Sequence, residues 1–366
     1  MLVELWTRDV RNLQETRIRF GNELNLIVGA NGSGKTSLLE ACHVLALGRS
    51  FRTHRLARVA RSGFGAFSVA GELWDSIHGR SWAGVEWKGQ RRSRLNGQWL
   101  EGHWEIARRM PLLSVHAGSF ELLAGAPEER RRLLDWGSFY LHADFVQQWM
   151  TWRRAHEQRN AALRQQDTRT AARFEAIAAD AGTRLTEMRA AVVAQLRHHL
   201  ADAASCGLRQ GLAGAIELTF RQGWPENETL SDAYARSRSS DLERGFGQSG
   251  PQKADLEIRV GGRLIREASR GEQKRVLNVL VIAQGLLLVG IGPGGAAPLL
   301  LLDDAVAEMD EAGLGGLMDA IAVLQWQCLA TTVDLKWALR TASRYRGAEM
   351  FHVKQGTLLR SHVPGD

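Results

Sequence analysis

Hydrophobic and polar positions change rhythm several times along the chain. Leu2 to Trp6 and Thr16 to Phe20 read as two short strands around a turn at Arg11 and Asn12. Leu24, Leu26, Ile27 and Val28 follow as a buried parallel strand, and Ser37 to Leu47 carries apolar residues at helical spacing. Phe67 to Trp74 and Ser81 to Trp87 alternate as antiparallel strands do, and Asn96-Gly97 between Arg94 and Trp99 predicts a hairpin turn. Pro111 to Val115 reads as a further strand, and Pro127 opens a helix within Phe120 to Asp135. From Leu134 to about Ala204 the pattern is helical throughout and free of proline. Asn227 to Gly250, rich in Ser, Arg and Gly, reads as a mobile connection, and Leu256 to Arg266 as a hairpin about Gly261-Gly262. A helix is expected over Gln273 to Val289. Leu299 to Leu302 is an uninterrupted apolar run, as in a strand buried on both faces.

At 366 residues, the chain can form two domains or one large, lobed domain. A net charge of +7 and a pI near 9.7 favour polyanionic partners. Only six residues are lysine, so 41 of the 47 basic residues are arginines, a bias that a GC-rich genome also produces. Arg49, Arg52, Arg55, Arg58 and Arg61 recur every three residues, a spacing that drifts around a helix. This segment, Gly48 to Ser62, reads equally as solvated surface and as phosphate contact. Trp149 and Trp152, among Arg153, Arg154, Arg159 and Arg164, favour helix packing over base stacking. Cys42, Cys206 and Cys328 are odd in number and far apart, which argues against a disulfide framework or a zinc site. The first residues lack the apolar core of a signal peptide, and Val276 to Ile291, broken by Asn278 and Gln284, falls short of a membrane span. A soluble, cytoplasmic protein without a membrane partner is expected.

Gly29 to Thr36, GANGSGKT, fits the P-loop pattern G-x-x-x-x-G-K-[ST] at every fixed position, with strand before and helix after. Gly29, Ala30, Asn31, Gly32, Ser33, Gly34, Lys35, Thr36 and Ser37 are therefore the expected ATP-binding residues. The glycines let consecutive N–H groups converge on phosphate. Lys35 reaches the β- and γ-phosphates, and the Thr36 hydroxyl ligates Mg²⁺. The apolar run from Leu299 ends in two carboxylates, a Walker B pattern. Strand ends of an open α/β sheet meet at the ligand crevice, so Asp303 is expected to hold Mg²⁺ through water and Asp304 to polarise the attacking water.

DDAVAEMD, Asp303 to Asp310, resembles the Walker B and D-loop of ABC-type ATPases, with Asp310 as the D-loop aspartate and Asp304 where those proteins have glutamate. In the place of their signature motif stands ASRGE, Ala268 to Glu272. Ser269 and Glu272 also form an S-x-x-E capping box. The resemblance implies that Ser269, Arg270, Gly271 and Glu272 serve the γ-phosphate held by a second subunit.

About 230 residues separate Lys35 from Ser269, more than a transporter's nucleotide-binding subunit normally has, and too few heptads are present for a long coiled coil. The ordered set LNLIVGANGSGKTSLLEACHVLALGRSFRT, LLAGAPEERRRLLDWGSF, QRNAALRQ, GPQKADLEI, SRGEQKRV and LLLLDDAVAEMD resembles the RecF family over nearly the whole chain. Departures are His116-Ala117-Gly118 in place of a Thr- or Phe-Pro pair, Gln252-Lys253 for His-Arg, and Ala268 for Leu. Ala330-Thr331-Thr332 stands where transporters carry a switch histidine.

The resemblance implies an α/β P-loop, ABC-type ATPase head, a mixed sheet with helices, plus a second, mainly helical lobe and no long coiled coil. Lobe I would comprise residues 1–130 with Walker A and 281–366 with Walker B and the D-loop; lobe II would be 131–280. Such a protein binds ATP and Mg²⁺, forms an ATP-dependent homodimer, and hydrolyses ATP weakly, stimulated by DNA, as a conformational timer. It binds single- and double-stranded DNA and gap junctions, and works with RecR and RecO in recombinational repair, replication and the SOS response. The alternative is a cytoplasmic ATPase subunit of an ABC-type transporter.

Overall fold

The structure, a computed structural model, describes residues 1–206, 215–289, 297–309 and 311–361. It divides into two units, Met1–Ser119 with Ser205–Arg209 and Leu288–Asp366, and Phe120–Ala204 with Gln210–Leu287. The first unit opens with β1 (Leu2–Arg8), β2 (Thr16–Arg19), β3 (Leu24–Val28) and α1 (Lys35–Leu47). It continues with β4 (Ala66–Asp75), β5 (Gly79–Lys88), β6 (Gln90–Leu95), β7 (Gln98–Trp99), α2 (Trp104–Arg109) and β8 (Leu112–Val115). The second unit contains α3 (Glu121–Ala124), α4 (Pro127–Leu141), α5 (Phe145–Arg164), α6 (Thr168–Ser205), β9 (Ile216–Arg221), α7 (Leu230–Arg244), β10 (Asp255–Val260), β11 (Arg263–Leu264) and α8 (Arg270–Leu288). The chain completes the first unit with β12 (Leu299–Leu302), α9 (Ala305–Glu308), α10 (Glu311–Leu324), β13 (Cys328–Thr332), α11 (Leu335–Arg344), β14 (Glu349–Lys354) and β15 (Thr357–Ser361).

Two sheets enclose α1. One is antiparallel, in the order β2-β1-β4-β5-β6-β7; the other runs β15-β14-β3-β13-β12-β8, parallel except for β15. Leu38, Leu39, Val44 and Leu45 of α1 pack with Leu5, Val69 and Val85 of the first sheet and with Ile27, Leu301 and Leu329 of the second. Because sheet lies on both sides, α1 is buried almost all round and not along one stripe. β3, β12 and β13 are fully buried; β12 is an unbroken apolar run, whereas β3 includes Asn25 and β13 ends in Thr331 and Thr332. The outer strands alternate, and the Asn96-Gly97 turn between β6 and β7 has positive φ at both residues. This is the α/β head expected from the sequence, joined to a mainly helical unit. Among the described residues no helix is long and apolar enough to cross a membrane.

The helical unit differs from its sequence pattern in two places. The helix expected from Leu134 to Ala204 is three, broken between Leu141 and Phe145 and between Arg164 and Thr168. At the second break Gln166 is left-handed and the Asp167 carboxylate accepts from the Thr170 N–H, so a polar cap makes the turn without Pro or Gly. Asn227 to Gly250 is no mobile connection: it contains α7. Thr229 caps that helix by accepting from the Asp232 N–H, and Gly245 ends it with φ of 73°. Its buried face is Leu230, Ala233, Tyr234, Ser237 and Asp241, at helical spacing but partly polar, so a count of apolar residues overlooks it. Trp152 is buried beside Leu185, Leu230 and Tyr234, with Trp149 half-buried against them, so both tryptophans serve helix packing.

A buried charge cluster closes this unit. Arg159 is fully buried and donates to Glu175 at 3.1 Å and to Asp241 at 2.8 Å, and Arg238 joins Glu175 from the rim. Ser237 Oγ and the Gln248 N–H also donate to Asp241. Arg159→Met leaves two carboxylates short of their cation and is expected to cost about 3–5 kcal/mol in urea unfolding. Arg153→Met, which removes an exposed pair with Glu157, is expected to cost less than about 1 kcal/mol in the same assay.

Two histidines fasten the end of α1. His43 Nδ1 lies 2.6 Å from the Arg49 carbonyl, and His103 Nε2 lies 3.1 Å from the Ala46 carbonyl. Burial pushes His43 down to about 3 and His103 down to about 4. In the unfolded chain both ionise near pH 6.5, so between about pH 6.5 and 4 the unfolded state binds the protons and stability falls as pH falls. Calorimetry is expected to show Tm level above about pH 7 and declining below it, with a shallower decline in a variant carrying His43→Gln and His103→Gln.

Candidate active site

The P-loop occupies the crossing from β3 to α1. Gly29 has no room for a side chain: a Cβ there would lie 2.5 Å from the Val353 carbonyl oxygen. Gly34 has φ of 119° and stands before α1 without any side-chain cap, which leaves the first amides of the helix and its positive dipole end open to an anion. Asn12 braces the loop, donating to the Gly32 carbonyl and accepting from Ser37 Oγ, both at 2.8 Å.

Lys35 is buried, with Nζ donating to the carbonyls of Gly29 and Ala30 at 2.8 and 3.1 Å. Desolvation lowers its pKa, and the charges of Asp304 and Asp303 work against that shift. The two carboxylates stand where β12 ends. Thr36 Oγ1 donates to Asp303 Oδ1 at 3.0 Å, and Thr331 Oγ1 of β13 donates to the same oxygen at 2.9 Å. Thr331 Oγ1 in turn accepts from the Asp304 N–H at 2.8 Å. Asp304 is left-handed, with φ of 50° and ψ of 52°, and its buried Oδ1 has no hydrogen-bond partner. These groups line one cavity of about 750 Å³ together with Arg11, Arg52, Arg58 and Ser62.

The basic segment after α1 therefore divides. Arg52 and Arg58 face this cavity, and Arg52 pairs with Glu40 at 3.3 Å. Glu40 is fully buried on α1 and also takes a two-pronged contact from Arg11 at 2.8 Å and the hydroxyl of Ser50. The hydrogen bond to Glu40 raises the Arg11 pKa. The local pattern at Arg11 and Asn12 indicates only a turn, and Ala330-Thr331-Thr332 stands out only as lacking a switch histidine, with no role for the Thr331 hydroxyl. Thr331 acts on Asp303 and Asp304 at the end of the neighbouring strand, whereas Arg11 and Asn12 act on Glu40 and Ser37 of α1 and on Gly32 of the loop, partners too distant in the chain to leave a local sign.

Asp310 lies outside the described residues. Ser269, Arg270, Gly271 and Glu272 lie in the second unit, at the start of α8. The capping box is formed there: Glu272 N–H donates to Ser269 Oγ at 3.3 Å, and Ser269 N–H donates to Glu272 Oε2 at 2.8 Å. The Ser269 backbone contact, with the hydroxyl next, holds Glu272 below the usual carboxylate range, and Arg263 reaches its other oxygen. Arg270 lies over the Phe120 ring. Gly271 has open space around it, with only an Arg275 guanidinium nitrogen 3.6 Å from where a Cβ would be.

A family described as AAA domain matches residues 7–74. The chain is 36% identical over 354 residues to the DNA replication and repair protein RecF of Marinomonas sp. (strain MWYL1), covering 94% of each. Among solved structures it resembles the recombination mediator protein RecF-ATP, with a TM-score of 0.85, 21% identity, and coverage of 99% of this chain and 97% of that one. The Smc head bound to the C-winged helix domain of ScpA shares the architecture less closely, with a TM-score of 0.57, 16% identity, and coverage of 99% and 98%.

Thr331→Val keeps the shape of the side chain and removes both hydrogen bonds that orient Asp303 and Asp304. Phosphate release from ATP is expected to slow about tenfold or more, equivalent to about 1.4 kcal/mol of barrier, while filter-binding affinity for ATP stays within about threefold.

Proposed function

The chain belongs to the RecF family, and on that premise we propose that it is an ATP-dependent DNA-binding protein of replication and recombinational repair. The observation that carries the reading is the convergence of Lys35, Thr36, Asp303 and Asp304 in one cavity of a chain similar to RecF along almost its whole length. A transporter subunit, the alternative that P-loop and signature allow, is not favoured by these relatives.

The loop amides of residues 29–34 and the start of α1 cradle the triphosphate, and Lys35 exchanges its two carbonyl partners for phosphate oxygens. The hard oxygens of Thr36 and Asp303 fit Mg²⁺, which would neutralise charge building up on the β- and γ-phosphates. Phosphate oxygens and water would complete the coordination. Asp304, whose buried Oδ1 has no hydrogen-bond partner, would accept from the water that attacks the γ-phosphorus and take up its proton as the new P–O bond forms and the bond to the leaving ADP oxygen breaks. Aspartate in place of glutamate sets this carboxylate back by one methylene, which suits slow turnover.

In this reading the first unit is ATPase lobe I and the second is lobe II, with the boundaries at 119/120 and 287/288 in place of the expected 130/131 and 280/281. Two chains close on two ATP molecules, with Ser269 and the uncapped amides of α8 meeting the partner's γ-phosphate and Asp310 acting in the D-loop between them. Slow, DNA-stimulated hydrolysis acts as the timer that reopens the dimer. The protein works in the cytoplasm at DNA gaps, with RecR and RecO as partners in loading recombinase.

Sedimentation velocity with ATP and Mg²⁺ tests this. The parent is expected to form dimers that decay as ATP is consumed, and Asp304→Asn to hold them far longer. Ser269→Arg is expected to bind ATP normally yet remain a monomer, because its side chain enters the seam. Dimers of Ser269→Arg at parental nucleotide concentration would refute the sandwich.

A further inference from the structure

The antiparallel sheet of the first unit has one face on α1 and the other outward. Along β4 and β5 the inward positions are Val69, Leu73, Ala83 and Val85, so the alternate residues point away from the core. Three of these outward residues are tryptophans: Trp74 on β4, Trp82 on β5 and Trp99 on β7, each 42–47% exposed. Trp74 is opposite Arg80 and Trp82 is opposite Glu72, which makes the two indoles diagonal neighbours. Trp99 is opposite Arg94 two strands further on, so the three span roughly 14 Å across the sheet.

Cations are interleaved with the rings. The Arg92 guanidinium lies 3.8 Å over the Trp99 ring. Arg94 lies flat across Gly84, where any Cβ would sit 2.8 Å from its Nε. Glu72 and Glu86, the acidic residues on this half of the face, are paired with Arg80 at 3.0 Å and Arg94 at 3.7 Å, which leaves Arg92 and Lys88 in excess. Single exposed apolar residues are ordinary, but three indoles on one face of β4, β5 and β7 with the guanidinium groups of Arg92 and Arg94 beside them are not.

We propose that this face is a stacking platform for unpaired nucleotides of DNA, with Trp74, Trp82 and Trp99 receiving bases and Arg92 and Lys88 neutralising the phosphates. An indole offers its face to any base, so binding is insensitive to sequence; the net positive charge complements a phosphodiester strand. A duplex keeps its bases stacked inside and can use only the cations, so the platform prefers single strands. The proposal rests on the reading of the chain as a DNA-binding protein and adds the surface that takes the unpaired strand.

The test uses the full chain, fluorescence anisotropy with a labelled twenty-nucleotide oligo-dT and a labelled duplex of equal length, and a variant carrying Trp74→Ala, Trp82→Ala and Trp99→Ala. Melting temperature and ATP binding report that the variant is folded. The variant is expected to lose single-strand affinity tenfold or more and duplex affinity less than twofold. Phenylalanine at the three positions is expected to restore most of the loss, since a phenyl ring also stacks. Single-strand binding equal to the parent's overturns the platform, as does an equal loss for both DNA forms, which would mark a general phosphate contact. Failure of the parent to bind either DNA would instead refute the DNA-binding reading itself.

Discussion

The first unit turns on one carboxylate oxygen. Asp303 Oδ1 accepts hydroxyls from the P-loop helix and from β13 while its own backbone N–H continues the ladder to Val115 of β8. Hydrogen bonds to a charged acceptor are each worth about 1.5–3 kcal/mol, so this oxygen joins three parts of the parallel sheet's ligand edge. The geometry follows from strand order. β13 lies between β3 and β12, which places Thr331 where it can hold the carboxylate of one neighbour and face the loop of the other. Through its contact with the Asp304 N–H, the same hydroxyl holds the next residue in a left-handed conformation that a non-glycine residue seldom adopts.

Buried charge is handled differently in each unit. On α1 one carboxylate, Glu40, gathers Arg11, Arg52 and Ser50, and so draws the turn after β1 and the basic segment after α1 to the nucleotide cavity. In the helical unit one guanidinium, Arg159, gathers Glu175 and Asp241 from two other helices. The second cluster is neutral once Arg238 is included at its rim, and the first carries one excess positive charge. The first arrangement positions cations beside phosphate, and the second fixes how α5, α6 and α7 pack.

The capping box at α8 illustrates why a signature motif can serve structure and function together. Ser269 and Glu272 satisfy each other at the start of the helix, and the remaining amides and the dipole stay available to an anion. Nothing about the cap conflicts with a partner's phosphate.

Much of the parallel sheet and the P-loop was legible along the chain, because the glycine spacing, the buried run before it and the Leu299–Leu302 strand ending in two aspartates are local patterns with local causes. The breaks near Leu141 and Gln166 and the helix at Leu230–Arg244 were not, because polar caps and a buried face containing Ser237 and Asp241 carry no apolar periodicity. Thr331, Asn12, Arg11 and the split between cavity-facing and other arginines of Gly48 to Ser62 were decided only by tertiary structure. Thr331, Arg11 and Asn12 depend on partners 20 or more residues away, and Arg52 on Glu40, 12 residues back on a helix. Local residue spacing alone is enough to locate a P-loop and the chain segments that surround it. Strand order and the burial of a few carboxylates decided which side chains face it, since hydrogen bonds across neighbouring strands leave no mark on local residue spacing.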